Sequence, residues 1–217
     1  MYIPKHFQQS DWQSALDLAK QASFAQLITV DQQKALQVSY LPVLFDSQAQ
    51  VFIFHLARGN DHCDLLLNET STVIFNGPHS YISPTWAEGI IVPTWNYTTV
   101  HIQGRAQEVT EASGKLELMS KMVDFYESAS PGSEPEQEPW RVSDLTAAQQ
   151  KGMFKAIRCF TLSVDHWEAK FKLSQNRSLE AVEQLANQLH DIASNTAPAV
   201  NEVALAKLML SEYPKEL

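Results

Sequence analysis

The sequence predicts a β-rich α+β protein, an antiparallel barrel with peripheral helices and a helical C-terminal segment. Two observations carry that class. Short β-branched or aromatic segments follow one another with polar turns between them, and few connections are long enough for the crossover helices of a doubly wound sheet. No internal repeat and no clean linker interrupts the series.

Ser10-Asp11-Trp12-Gln13 has the form of a capping box, and Trp12, Ala15, Leu16 and Ala19 repeat at helical spacing, which predicts a helix over 11–21. Residues 24–30, 36–45 and 50–55 then read as strands of an antiparallel meander, with turns at Asp31-Gln32-Gln33 and Asp46-Ser47-Gln48. A short helix is expected over 61–67, a strand over 71–75 and a long strand over 96–109, where Thr98, Val100, Ile102 and Gly104 alternate with Tyr97, Thr99, His101 and Gln103. Leu116, Met119, Val123 and Tyr126 mark a helix that stops before an acidic, proline-rich insert at 130–139, expected to be a surface loop. A helix near 144–154, strands near 156–164 and 167–173, a helix striped by Leu179, Val182, Leu185, Ala186 and Leu189, and a last helix from Pro198 complete the chain.

At 217 residues, with 44% hydrophobic and 19% charged residues, the chain can bury one sizeable core or two small ones. Its longest apolar runs, such as Gly89-Ile90-Ile91-Val92-Pro93, fall far short of the roughly 18 residues a membrane helix needs. Lys5, Asp11, Asp17 and Lys20 occupy the place of a signal-peptide core, so a cytoplasmic protein with no membrane partner is expected. Cys63 and Cys159 give no disulfide framework and read as two buried thiols. The formal net charge of −9 argues against a duplex-binding surface, which requires concentrated Lys and Arg. Positive charge is only local: residues 151–177 hold Lys151, Lys155, Arg158, Lys170, Lys172 and Arg177 against Asp165 and Glu168.

The seven glycines stand at least ten positions apart, which excludes both the dinucleotide fingerprint and the P-loop, since each needs clustered glycines. Any bound phosphate must therefore be held by side chains. Arg58, with Asn60 beside it and a short helix beginning near Asp61, offers a planar fork and an amide; taken alone, the segment favours a surface arginine paired with Asp61 or Asp64. Val92-Pro93-Thr94-Trp95-Asn96-Tyr97 places large aromatics among polar side chains. A strand explains Tyr97 but explains Pro93 to Asn96 poorly, and the group suits a flat polar molecule. His55, His79 and His101 lack paired metal-ligand spacing and an adjacent acidic residue, and read as core or interface histidines with no metal site. Nothing resembles a nucleophile elbow, so covalent catalysis has no support.

Four segments together carry a family resemblance: His55-Leu56-Ala57-Arg58-Gly59-Asn60, Gly77-Pro78-His79-Ser80-Tyr81-Ile82-Ser83-Pro84-Thr85-Trp86, Val92 to Tyr97, and Lys172-Leu173-Ser174-Gln175-Asn176-Arg177. With Met1-Tyr2-Ile3-Pro4 and His6-Phe7, they resemble the PaiB family of FMN-binding split-barrel proteins, labelled negative transcriptional regulators. The resemblance implies a six-stranded FMN-binding split barrel over 1–177, a C-terminal helical segment over 178–217, and a homodimer with two flavin sites at its interface. It implies that Arg58 and Asn60 hold the FMN phosphate and that Ser39, Leu41 and Pro42 line the ribityl side. Here Tyr40 stands where relatives commonly have a histidine in a Thr-His-Leu-Pro pattern. His55, Thr94, Trp95, Asn96 and Tyr97 fall on the matched segments, with Trp95 as an aromatic wall. Gln175 and Asn176 are candidates for the polar edge of the ring. Lys172 is one for the phosphate or for N1 and O2 of the reduced flavin, with Ser174 beside it. The dimer is expected to use the strand over 96–109 and the 77–86 segment, which from Gly77-Pro78 on holds too many turn residues for a core helix or long strand, with Tyr81, Trp86, Ile90 and Ile91.

Function then divides. The family label implies a regulator acting through flavin state or a partner, since the acidic balance and the lack of a helix-turn-helix disfavour autonomous DNA binding. The alternatives are an FMN-dependent oxidoreductase moving hydride from a nicotinamide to a small acceptor, and a protein that binds or buffers flavin or haem.

Overall fold

The computed structural model describes residues 1–89, 92–129, 138–195 and 200–213. Its elements are β1 (Gln8–Gln9), α1 (Trp12–Gln21), β2 (Phe24–Val30), β3 (Leu36–Pro42), β4 (Leu44–Asp46), β5 (Val51–Ala57), α2 (His62–Leu65), β6 (Thr70–Ile82), β7 (Thr94–Val109), α3 (Ala112–Ala129), α4 (Ala147–Ala156), β8 (Ile157–Leu162), β9 (His166–Lys172), α5 (Leu179–Asn195) and α6 (Val200–Ser211). The chain forms two compact units. One comprises Ser23–Ile74 and Ile102–Trp167; the other comprises Met1–Ala22, Phe75–His101 and Glu168–Leu217. They are called the central unit and the terminal unit below.

In the central unit the strands run β3-β2-β6 and β7-β8-β5-β4, and the registered pairs are antiparallel. Asp31 builds the β2–β3 turn: its carboxylate accepts from the Ala35 amide at 2.7 Å, its carbonyl from Lys34, and Lys34 takes a φ of 66°. Asp46 acts similarly after β4, accepting from the Gln48 amide at 2.9 Å. The apolar face of α3, with Leu118, Met119 and Met122, packs with Val142 on Leu44, Ile53 and Cys159, while Phe54 and Phe160 stack at 5.6 Å. Burial of each such large side chain contributes about 1.5–3 kcal/mol. Gly104 passes so close to the Ser163 carbonyl that a Cβ would not fit.

In the terminal unit α1 buries Ala15, Leu16, Leu18 and Ala19, as its spacing requires. Its cap is Asp11 rather than Ser10: the Asp11 carboxylate accepts from the amide and hydroxyl of Ser14 at 2.7 and 2.8 Å, so the capping box expected at Ser10 gives way to a simple aspartate cap. β1 pairs with β9, and α5 packs against α6 through stripes that bury Val182, Leu185, Ala186 and Leu189 together with Leu205 and Met209.

The strand expected to end at Phe75 continues to Ile82, correcting the reading of Gly77-Pro78 as turn chemistry. Gly77 lies against Leu18 of α1 and Thr98 of β7, where any Cβ would clash, and the Pro78 carbonyl accepts from the Thr98 hydroxyl at 3.4 Å. Glycine here serves close approach. α4 begins at Ala147 rather than near 144, because Val142–Asp144 forms a 3-10 turn and Thr146 with Gln149 makes the capping box. Most of the acidic insert, the helix start at Pro198, and Ile90 and Ile91 lie outside the described residues. Among the described residues no helix is long and apolar enough to cross a membrane.

Candidate functional site

The structure gathers the sequence candidates into two groups, one in each unit. In the central unit, strand alternation points Ser39 and Leu41 inward and leaves Tyr40 outside, 65% exposed, with Pro42 half-buried opposite Phe24. Ser39 Oγ lies 2.9 Å from Nδ1 of His62 and accepts from the Asn60 amide at 3.3 Å. The other ring nitrogen, Nε2, lies 2.8 Å from Thr29 Oγ1, which lies 2.7 Å from Ser71 Oγ. Asn60 Oδ1 in turn accepts from the His62 amide at 3.0 Å. This closed polar chain has fully buried His62 at its centre, and burial holds the imidazole below its ordinary pKa of 6.5, hence neutral. A neutral ring donates from one nitrogen and accepts at the other, and a hydroxyl can answer either role. The sequence reading missed His62; the nearest signal was its place two residues after Asn60.

Arg58 stands on the rim of this unit. Its Nε donates to the Lys155 carbonyl at 2.7 Å and its Nη2 to the Ile157 carbonyl at 3.1 Å, so it ties the end of β5 to the α4–β8 junction, and Nη1 has no partner among the described residues. Of the two aspartates suggested as its partner, Asp61 makes no ion pair with it among the described residues and Asp64 goes elsewhere. Asp64 accepts from Arg158 Nη1 at 2.5 Å, while Nη2 of the same guanidinium donates to Glu108 at 2.6 Å. Arg158 thereby holds the Glu108 carboxyl below the ordinary carboxylate range. His55 on β5 is half-buried with its Nδ1 enclosed and unpartnered among the described residues, and burial keeps it neutral. Cys63 and Cys159 are buried free thiols; desolvation raises the first and pushes the second up to about 11.

In the terminal unit, β7 begins at Thr94 and residues 94–96 meet the end of β9. Lys172 Nζ donates to Thr94 Oγ1 at 2.7 Å and to the Trp95 carbonyl at 2.5 Å. Desolvation, followed by repulsion from Lys170 and Arg177, lowers its pKa. Asn96 is fully buried: its amide donates to Ser174 Oγ at 3.0 Å and its carbonyl accepts from the same hydroxyl at 3.1 Å. Ser174 adopts a φ of 67°, a left-handed conformation that costs a non-glycine residue about 1 kcal/mol and that this double bond to Asn96 sustains. Gln175 turns back on its own backbone, accepting from the Leu173 amide and donating to the Phe171 carbonyl. Asn96, Ser174 and Gln175 are therefore occupied with the fold. Trp95 is not: its indole is 55% exposed, edge-on to Tyr81 at 6.1 Å and 6.4 Å from His79. Asn176 is exposed, and Tyr97 is half-buried with Lys170 over its ring at 5.2 Å.

His101, read in the sequence as having no adjacent acidic residue, has one supplied by the fold: Glu168, 67 positions along the chain, approaches its Nδ1 at 3.5 Å. Desolvation still lowers the His101 pKa against the pull of that carboxylate.

Three similarities bear on these groups. The sequence model of a family described as "Putative FMN-binding domain" matches residues 1–166. The protein "Protease synthase and sporulation protein PAI 2" of Bacillus subtilis is 29% identical over 214 residues, covering 93% of this chain and 97% of its own. Among solved structures, the flavocytochrome Anf3 from Azotobacter vinelandii superposes with a TM-score of 0.58 at 13% identity, over 78% of this chain and 72% of that one. The FAD and heme binding protein from Mycobacterium smegmatis does so with 0.54 at 12%, over 76% and 73%. At these identities the superpositions establish the fold, the split barrel of flavin-binding proteins.

Proposed function

We propose, from the premise that this chain belongs to the PaiB-type FMN-binding domain family whose model its residues 1–166 match, that it is an FMN-holding regulator that acts through flavin state or a partner protein without gripping duplex DNA. Membership makes FMN the cofactor. When bound, FMN supplies a reversible electron acceptor. The residues present suit such a group. In the central unit Arg58 keeps an Nη1 and His55 an enclosed nitrogen that have no partner among the described residues; in the terminal unit Trp95 offers an open aromatic face, with Lys172 bonded beside it to Thr94 and the Trp95 carbonyl. Ser39 and Asn60 support the reading less directly, because each spends its side chain on the other and on His62.

The observation that carries the reading is what has become of the basic stretch at 151–177. Arg158 is held by two carboxylates, Lys170 is buried under a carbonyl and two tyrosine rings, Lys172 is bonded to Thr94 and Trp95, and Arg177 reaches the Gly89 carbonyl at 3.3 Å. Of the six, Lys151 and Lys155 remain exposed, with no side-chain bond among the described residues. Two lysines in a chain of net charge −9 make a weak duplex contact that salt dissolves. Footprinting on a defined promoter at about 0.15 M salt tests this. Little protection is expected; a footprint lost in the double variant Lys151→Ala, Lys155→Ala would establish direct repression instead.

A homodimer is part of the same proposal. On one face of the β2–β3 hairpin, Phe24, Val30, Leu36, Val38 and Tyr40 are exposed in adjacent cross-strand positions, a contiguous apolar face of the kind a two-fold partner covers. The strand β7 and the 77–86 segment stay part of the proposed interface: Tyr81 and Trp95 are exposed there, while Val100 and Ile102 are buried within the chain. Division into a barrel over 1–177 and an appended helical segment over 178–217 stays a proposal.

A further inference from the structure

We propose that a cavity of the central unit, between the N-terminal turns of α3 and helix α4, binds a phosphorylated small molecule with an aromatic or apolar body, the chemistry of a nucleotide, through lysines that the flavin reading does not use. The cavity measures about 850 Å³, within the range of sites for whole small ligands and far larger than a bare phosphate needs. Arg58, Lys115, Lys151 and Lys155 line it, and no carboxylate does. In a chain of net charge −9 this is a local reversal of field.

Lys115 makes the cavity more than a patch of surface lysines. It is only 9% exposed, yet among the described residues its ammonium makes no hydrogen bond or ion pair; the nearby Glu108 carboxylate is bonded to Arg158 instead. An anion in the cavity would give this largely buried side chain the direct partner it lacks among the described residues. α3 is 18 residues long, and its first turn, with Ser113, reaches the same space, adding the positive end of a helix to the lysines. Leu116 and Phe154 supply apolar wall. Gln150 donates to the carbonyls of Val142 and Leu145, which fixes it with its own carbonyl oxygen free to accept from a base. Cations at one part and an aromatic wall at another fit a phosphate joined to a ring.

The probes are the methylanthraniloyl derivatives of ADP and of adenosine, followed by fluorescence on the full chain, with and without saturating FMN, at about 0.15 M salt. Saturable binding of the ADP derivative is expected, with the phosphate-free derivative at least about tenfold weaker. Lys115→Met and the double variant Lys151→Ala, Lys155→Ala should each weaken the ADP derivative by about tenfold or more, the scale of a hydrogen bond to a charged group. FMN affinity in these variants should stay unchanged, which also reports that they fold. No saturable binding, or equal affinity in Lys115→Met, would overturn the proposal. Displacement by FMN would assign the cavity to the flavin, and displacement by a short duplex would assign it to DNA; both overturn it. Loss of FMN binding alone, with the ADP derivative still bound, would remove the flavin reading and leave the cavity standing.

Discussion

Arg158 and Lys115 are both largely buried cations of the central unit, and they are treated in opposite ways. Arg158 lies between Asp64 and Glu108, with a carboxylate on each side of its fork, whereas Lys115 has no hydrogen-bond acceptor among the described residues and lines a cavity free of acidic side chains. The first arrangement answers a charge with structure. The second leaves a charge to be answered by something that arrives, and the same test separates the basic residues of 151–177 into those already spent and those still available.

The largest expected effect comes from breaking the satisfied member. Arg158→Met should destabilise the fold by about 2–3 kcal/mol, because Glu108 is left half-buried without its donor; the Asp64 side contributes little, that carboxylate being 85% exposed. Chemical denaturation of wild type and variant measures this. The pair also sets an acid limb. The folded Glu108 pKa lies below its ordinary value of 4.5, so its contribution is full above about pH 4.5 and is lost as pH falls through the depressed folded value. Stability profiles should show that loss in wild type and a smaller one in Arg158→Met.

Next in size is the neutral counterpart, His62, which has two partners and no charge. His62→Leu should cost about 2 kcal/mol by stranding Ser39 and Thr29 in the interior. Because burial depresses the folded pKa, the histidine stabilises the protein above its ordinary value of 6.5 and loses that contribution as pH falls below it; the variant should lack this limb. In the terminal unit Asn96→Ala should cost about 1–2 kcal/mol, read as a lowered midpoint, since Ser174 would keep its left-handed backbone without its lock. The smallest effect, and the sharpest for the comparison, is Lys115→Met. With no acceptor to lose, it should leave stability within about 0.5 kcal/mol of wild type or raise it. A loss as large as that of Arg158→Met would mean that the ammonium already has a structural partner.

What was legible in the sequence followed from local pattern. Alternation placed β2, β5 and β7 to within a residue or two, while the single strand read over 36–45 is two, β3 and β4, and helical spacing found α1, α3 and α5. The reading failed where a residue's role is decided from far along the chain. Gly77-Pro78 looked like a turn because Leu18 and Thr98, which require a glycine there, lie 59 and 21 positions away. Asn96 looked like a ligand contact because its lock, Ser174, is 78 residues distant. His62 drew no notice because Ser39 and Thr29 come from two other strands. Lys115 sat unremarked in a helix pattern; only the packing of α3 shows that it is buried without a partner. The candidate site was thus legible as segments, 39–42 with 58–60 and 94–97 with 172–176, while the assignment of each side chain to ligand or to fold was not.

The claim beneath all of this is that the chain holds FMN, and titration of the purified protein with FMN and with FAD, followed by quenching of flavin fluorescence, tests it most directly. The account predicts saturable binding of about one FMN per chain and at least tenfold weaker binding of FAD, since Arg58 retains a nitrogen for a terminal phosphate and the chain has no clustered glycines for a second nucleotide. A protein that leaves FMN fluorescence unchanged, or that takes FAD as tightly, would contradict it.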